Sequence, residues 1–314
     1  MQSSPTKTIR KATFAPLDHL DWNFNLNEAA QLTKEINIEF ISGIFGSEKF
    51  ELWKDYIAKN ELNSFLSARY ALSHRFQSTA EIGLAESESL RLLETVFICL
   101  RVVKPTRARF SAVQTKELGT GGIEVFSVSH PKNSALNIPD IESTNQITIA
   151  DLRLLGRLVR PFLDVSANGP ENLRRAIRYF EEGYSQIFDP IVQIILWTAG
   201  IGSAFSEADE PISASRLIES IHQLIPPEID IYAETPQREF LDIPPFTIGR
   251  LLPDLFSLRN QLVHGGWIPD KWKTESARPS LSQALIPYAD VLREAASFIL
   301  RKTIIARLLE SDGR

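Results

Sequence analysis

Cysteine is nearly absent: Cys99 is the only one in 314 residues. That excludes intramolecular disulfides and Cys-rich zinc sites, and it points to a reducing, cytoplasmic setting. A basic tail or block is also missing. Lys and Arg number 34 against 39 Asp and Glu, for a formal net charge of -5. Bulk attraction to nucleic acid is therefore not expected, and any contact with RNA has to come from a local patch. Long apolar runs are missing too. The longest, Pro190 to Phe205, includes Gln193 and falls short of the roughly 20 residues that a bilayer needs. No membrane partner is expected. The opening Met-Gln-Ser-Ser-Pro-Thr-Lys lacks the apolar stretch of a secretory signal.

Most enzyme signatures are missing as well. No Gly-x4-Gly-Lys-Ser/Thr loop, Gly-x-Ser-x-Gly elbow or His-Glu-x-x-His pair occurs. Gly200-Ile201-Gly202 lacks the third glycine of a dinucleotide fingerprint. His19, His74 and His130 have neither metal-ligand nor triad spacing, so no metal and no cofactor are expected. Cys99 sits in the apolar stretch Val96-Phe97-Ile98-Cys99-Leu100, which suits a buried, inert thiol.

What remains is an ordinary globular composition, with 43% hydrophobic and 23% charged residues in a chain about twice the usual domain size. The expected architecture is an α+β domain over 1–145 followed by an all-α bundle over 146–314. In the first part, Ile36 to Ile41 and Ile123 to Val128 alternate as strands do. Phe110 to Val113 precedes the second of these across Gly119-Thr120-Gly121-Gly122, so residues 110–130 are expected to form a hairpin. Ser47 to Tyr56 and Ser87 to Val103 have helical spacing. Residues 131–146 have linker composition. Helices are then expected over 148–163, from Pro170 to about 186, over 190–205, over 211–225, up to His264, and over 280–311. The run 190–205 is apolar all round, which places it in the middle of a bundle. A proline-rich loop is expected over 226–246.

One segment carries chemistry: Ser257-Leu258-Arg259-Asn260-Gln261-Leu262-Val263-His264-Gly265-Gly266. The Gly-Gly pair ends a helix at His264. Asn260 and His264 then lie one turn apart on one face. Arg259 starts about 140° from His264 by the 100° helical step, but its side chain is long enough to swing across. A fixed cation can stabilise the charge of a phosphorane-like transition state. Imidazole is the side chain that exchanges a proton near neutral pH. An RNA 2′-hydroxyl nucleophile would make a metal unnecessary. Arg69…His74 and Arg216…His222 have similar spacing, but no amide follows either Arg and no Gly-Gly follows either His. The bland alternative is a His that closes its helix beside solvated Arg and Asn side chains.

Leu258 to Gly265 resembles the Arg-polar-x3-His motif of HEPN domains, above all the Apea-like group. Asn172 to Phe180 with Tyr184 is similar to that group's early helix. Ile194 to Phe205 is similar to its central apolar helix, and Ile212-Ser213 with Arg216-Leu217 to the segment that follows. The resemblance spans roughly residues 147–310. It implies a homodimerising helical bundle and a metal-independent endoribonuclease that leaves 2′,3′-cyclic phosphate and 5′-hydroxyl ends. Arg259 would stabilise phosphate charge, Asn260 would orient His264 or the phosphate, and His264 would act as acid or base. Proteins of this kind serve in toxin–antitoxin and antiviral systems, so an antitoxin or sensor partner is implied alongside RNA. Relatives often carry an acidic residue where Gly202 stands; Glu207 is a weak substitute. That departure supports the alternative, a non-catalytic HEPN module that binds RNA, a nucleotide or a partner protein. Gly200 and Gly202 are expected to serve close helix packing.

Other features have ordinary explanations. Trp267 and Trp272 could stack on bases or pack a loop. Arg174, Arg175 and Arg178 could bind phosphate or form a solvated face. Arg101, Lys104, Arg107 and Arg109 are the basic cluster of the first part and could touch RNA.

Overall fold

The structure is a computed structural model that describes residues 9–17, 21–22, 30–40, 68–78, 84–106, 113–118, 123–127, 146–185, 190–206, 212–233, 245–266, 276–279 and 285–312. The expected helix at 47–56, the Gly119 to Gly122 turn, the linker over 131–145, Trp267, Trp272, Glu207, Arg107, Arg109, His19 and His130 lie outside them.

Two compact units emerge, and they divide inside a helix, between Leu163 and Asp164. Composition alone draws its line at 145/146. The first unit contains strands β1 (Ile9–Leu17), β2 (Asp21–Trp22), β3 (Ala30–Gln31), β4 (Ile36–Phe40) and β5 (Tyr70–Ser78). Helix α1 (Leu84–Val103) follows, then β6 (Val113–Glu117), β7 (Ile123–Ser127) and β8 (Gln146–Ile147). Six of these strands form an antiparallel sheet in the order β3-β4-β5-β1-β6-β7. β6 and β7 pair as the expected hairpin, and β4 matches the alternation of Ile36 to Phe40. β2 and β8 make a short parallel pair.

β1 and β5 escape sequence reading because both are central and buried over much of their length on both faces. Such strands lose the apolar–polar alternation. α1 packs on β5 and β1. Beneath it, Lys11 on β1 donates to Glu86 at 2.7 Å, with both side chains buried. Thr13 and Thr115 join their hydroxyls across β1 and β6 at 2.9 Å. Cys99 is fully buried in α1, and burial pushes its thiol pKa up, as an inert core thiol requires.

Helix α2 (Ile149–Asn168) spans the division between the units. Thr148 and Asp151 cap it reciprocally: the Asp151 amide donates to Thr148 Oγ1 at 3.1 Å, and the Thr148 amide to Asp151 Oδ2 at 2.9 Å.

The second unit is helical: α3 (Glu171–Ser185), α4 (Pro190–Phe205), α5 (Ala214–Leu224), α6 (Ile248–Val263) and α7 (Tyr288–Asp312), with a hairpin of β9 (Ser276–Pro279) and β10 (Leu285–Pro287). α4 packs against α3, α5, α6 and α7, the central place its all-round apolarity implies. Its buried Gln193 and Thr198 are satisfied: Gln193 donates to the Gly183 carbonyl at 3.1 Å and Thr198 to the Ile194 carbonyl at 2.7 Å. Trp197 is fully buried and donates its indole N–H to the Phe180 carbonyl at 3.2 Å.

The expected helix over 280–311 needs correction at its start. Residues 285–287 pair with β9, and the helix begins at Tyr288, directly after Pro287. Proline ahead of a first turn loses no helical hydrogen bond, and its fixed φ suits an extended segment that leads into a helix.

Candidate functional site

The motif helix α6 is fixed at both ends by local chemistry. At its start the proline-rich loop folds back on it. The Ile248 amide donates to the Ile229 carbonyl at 2.9 Å and the Gly249 amide to Pro227 at 2.8 Å. Asp230 gathers the amides of Tyr232 and Phe246 on its Oδ1, at 3.1 and 3.2 Å. The described part of that loop is thus an ordered clamp on the helix entrance.

At its end, Gly265 takes φ +77°, the left-handed conformation that glycine adopts without Cβ strain. Its amide donates to the Leu262 carbonyl at 3.2 Å, and the Gly266 amide to Gln261 at 2.8 Å. This pair of bonds is a Schellman closure with His264 as the C-cap. Gly266 is also required, because a Cβ there would lie 2.7 Å from the Gln261 carbonyl oxygen.

Between these ends α6 buries Ile248, Leu251, Leu252, Leu255, Phe256, Leu258 and Leu262. The opposite side of its last turns exposes Ser257, Asn260, Gln261, Val263 and His264. Asn260 and His264 therefore share an exposed face, as their spacing implies. Arg259, half-buried beside them, donates from Nη1 to the Asn260 side-chain oxygen at 2.9 Å. That bond places the guanidinium on the Asn260 side of the helix. The three residues form an open constellation of cation, amide and imidazole. Nearby, the Tyr288 hydroxyl donates to Asp254 at 2.7 Å and joins α7 to α6.

The two glycines of α4 part ways. A Cβ on Gly200 would lie 2.8 Å from Leu300 Cδ2 and 3.1 Å from Tyr179 Cβ, so Gly200 does serve close packing of α4 against α7 and α3. Gly202 does not: a Cβ there meets nothing within 4 Å. The two positions stand about 200° apart around the helix, so one faces the bundle and the other open space. Gly183 on α3 is the close-packing glycine that sequence reading missed; a Cβ there would overlap the Trp197 indole. Its absence from the expected set is physical, since only the approach of Trp197, 14 positions away, makes the site tight.

Other candidates resolve differently. Arg101 is buried, with its guanidinium 4.5 Å from the Phe97 ring centroid, so it is not part of an exposed basic cluster. Arg174 and Arg175 both pair with Glu171 on the same exposed helix face. The first unit holds an open cleft of about 570 Å³ lined by Arg10, Glu35, Arg75 and Gln77 among others, with charges of both signs. Among the described residues, no three His, Cys, Asp or Glu side chains are grouped as metal ligands, and no helix is long and apolar enough to cross a membrane. Compared with family models, curated proteins and solved structures, the chain matches none.

Proposed function

We propose that the second unit is an HEPN-type bundle of the Apea-like group that acts as a homodimeric, metal-independent endoribonuclease. The observation that supports this reading most is the open face at the end of α6. There Asn260 and His264 are exposed one turn apart and Arg259 is held against Asn260. In the proposed reaction, His264 of one copy takes the proton from an RNA 2′-hydroxyl. The 2′-oxygen attacks the adjacent phosphorus, and the bond from phosphorus to the 5′-oxygen breaks. The leaving 5′-oxygen takes a proton from the partner subunit's His264. The products are a 2′,3′-cyclic phosphate and a 5′-hydroxyl. Arg259 stabilises the negative charge that builds on the phosphoryl oxygens, and Asn260 keeps Arg259 in position. By its resemblance to that group, such an activity belongs to toxin–antitoxin or antiviral systems, with an antitoxin or sensor as a further partner.

Labelled RNA of mixed sequence, incubated in EDTA, tests this. Cutting that survives EDTA, leaves cyclic phosphate ends and disappears in both Arg259→Ala and His264→Ala is the expected result. Equal cutting by wild type and both variants would overturn the assigned site.

Gly202 favours a second reading, a non-catalytic module of the same fold that binds RNA, a nucleotide or a protein. Relatives often place an acid at that position, and here it bears no side chain. RNA binding with no cutting in any variant would select this reading.

A further inference from the structure

The first turns of α1 and its later turns are held by different chemistry. Between Leu84 and Leu92 the buried residues are Glu86 and Ser89, both polar. Ala85, Leu90 and Leu92 are only partly covered, and Leu84 is 72% exposed. From Leu93 on the hold is apolar: Leu93, Val96, Phe97, Leu100 and Val103 are buried, with Cys99 among them. That hold depends on area removed from water, not on a protonation state.

The polar contacts converge on one patch of the sheet. Glu86 takes the Lys11 ammonium at 2.7 Å, and Ser89 Oγ lies 2.8 Å from His74 Nδ1. Lys11 and Thr13 alternate onto this side of β1, and their partners on β5 are Phe76 and His74. Thr13 in turn meets Thr115 of β6. α1 therefore starts above a polar floor, and His74 is the member that charges near neutral pH.

The surroundings of the imidazole keep it neutral while α1 is docked. On β1, Thr13 is uncharged and Lys11 is matched by Glu86; on α1, Ser89 is uncharged; on β5, Phe76 stacks on the ring. On β4, Ile36 lies opposite. Glu35, just before β4, attracts the charge, but burial outweighs it and holds the imidazole below its ordinary 6.5. Arg75 and Glu39 pair on the other face of the sheet, with Ser73. An imidazolium can still donate to Ser89, so the proton does not break that bond. It adds a charge that the closed patch hydrates poorly. Lifting the first turns of α1 gives that charge water without uncovering the apolar half of the helix.

We infer that Leu84 to Leu92 form a polar latch that acidification releases from the sheet, while Leu93 to Val103 stay docked. The sign follows from linkage: the open form takes the proton more readily, so opening is favoured as pH falls below 6.5. Helix ends open at low cost compared with the core, which suits the first turns to this role. Release bares Lys11, Thr13 and His74. Lys11 and Phe76 already line the open cleft of about 570 Å³, so the cleft then extends into the space beneath the helix.

Amide hydrogen exchange of the full chain tests it, read by mass spectrometry on peptides within 84–92 and 93–103 and corrected for intrinsic rates. From about pH 7.5 to about pH 5, opening of 84–92 should rise several-fold, with a ceiling of about thirtyfold for one histidine that titrates freely at 6.5 once open. Opening of 93–103 should not change. His74→Gln keeps a hydrogen-bonding group for Ser89 but never charges, and it should remove the rise. Ser89→Ala should raise opening of 84–92 at about pH 7.5 and keep the response to acid. Circular dichroism melts confirm that each variant is folded. Equal loss of protection in both segments, unchanged protection in 84–92, or a rise that survives His74→Gln would overturn the latch. The comparison of the two segments in the wild type needs no substitution, so it decides the matter even where a variant fails to fold.

Discussion

The Arg259 guanidinium donates to the side-chain oxygen of its neighbour Asn260, 2.9 Å away. Adjacent residues on a helix project about 100° apart, so this bond forms only because the arginine side chain bends around the helix. It brings the cation toward the face that His264 shares with Asn260. Asn260→Ala therefore releases the guanidinium without removing it. RNA cutting should fall tenfold or more, while stability moves by no more than about 0.5 kcal/mol, as at an exposed site. Single-turnover cleavage measured beside a denaturant melt checks both parts. Unchanged cutting would show that the bond has no role in positioning Arg259.

Gly265 holds the same face from the other side. Its φ of +77° costs a Cβ-bearing residue about 1–2 kcal/mol. Gly265→Ala should lower stability by about that amount and also lower cutting, because His264 would lose its fixed place at the helix end. Gly265→Asn should recover part of both, since Asn tolerates the left-handed region better. Stability and activity that move independently across the pair would break the link.

The glycines of the bundle make an internal control. Gly183→Ala drives a methyl into the Trp197 indole and should cost about 1–3 kcal/mol, as overpacking does. Gly202→Ala fills open space in a helix and should be neutral or stabilising by about 0.5–1 kcal/mol. Urea midpoints report both. Because position 202 has room, Gly202→Glu should also fold, and raised RNA cutting in that variant would support the proposed reading in which an acid is missing there.

His74 gives the first unit a pH dependence. Its Nδ1 lies 2.8 Å from Ser89 Oγ under α1, and its ring stacks on Phe76 with centroids 5.4 Å apart. Burial lowers its pKa from the ordinary 6.5, while the Glu35 carboxylate pulls the other way. The unfolded chain then binds the proton more readily than the folded one. The contribution to stability is present above 6.5 and lost as pH falls from 6.5 through the lowered value. Urea midpoints between about pH 7.5 and about pH 5 should fall less steeply in His74→Gln than in wild type. Parallel slopes would exclude His74 as the source.

The Lys11–Glu86 pair should behave as buried ion pairs do. Lys11→Met alone removes the cation from a buried carboxylate and should cost about 3–5 kcal/mol, while Lys11→Met with Glu86→Leu should recover most of that loss. A double-mutant cycle by urea denaturation checks it, and additive losses would show that the two charges are not coupled.

The sequence by itself determined the features whose causes lie within a turn or two. The exposed Asn260–His264 face and the stop at Gly265-Gly266 follow from helical spacing and from one φ that favours glycine. The alternation in Ile36 to Phe40 and the all-round apolarity of α4 placed a strand and a central helix for the same reason. Tertiary structure decided what depends on distant partners. β1 and β5 are central strands, paired on both edges and buried over much of their length, which erases their pattern. Leu285 to Pro287 pair with β9 where helical spacing alone continued α7. Gly200 and Gly202 are the same residue two positions apart, yet only Gly200 meets Leu300. Arg101 has the composition of a surface residue and the surroundings of a core one. A side chain's periodicity is written in its neighbours along the chain, but its environment is set by residues the chain brings back from far away.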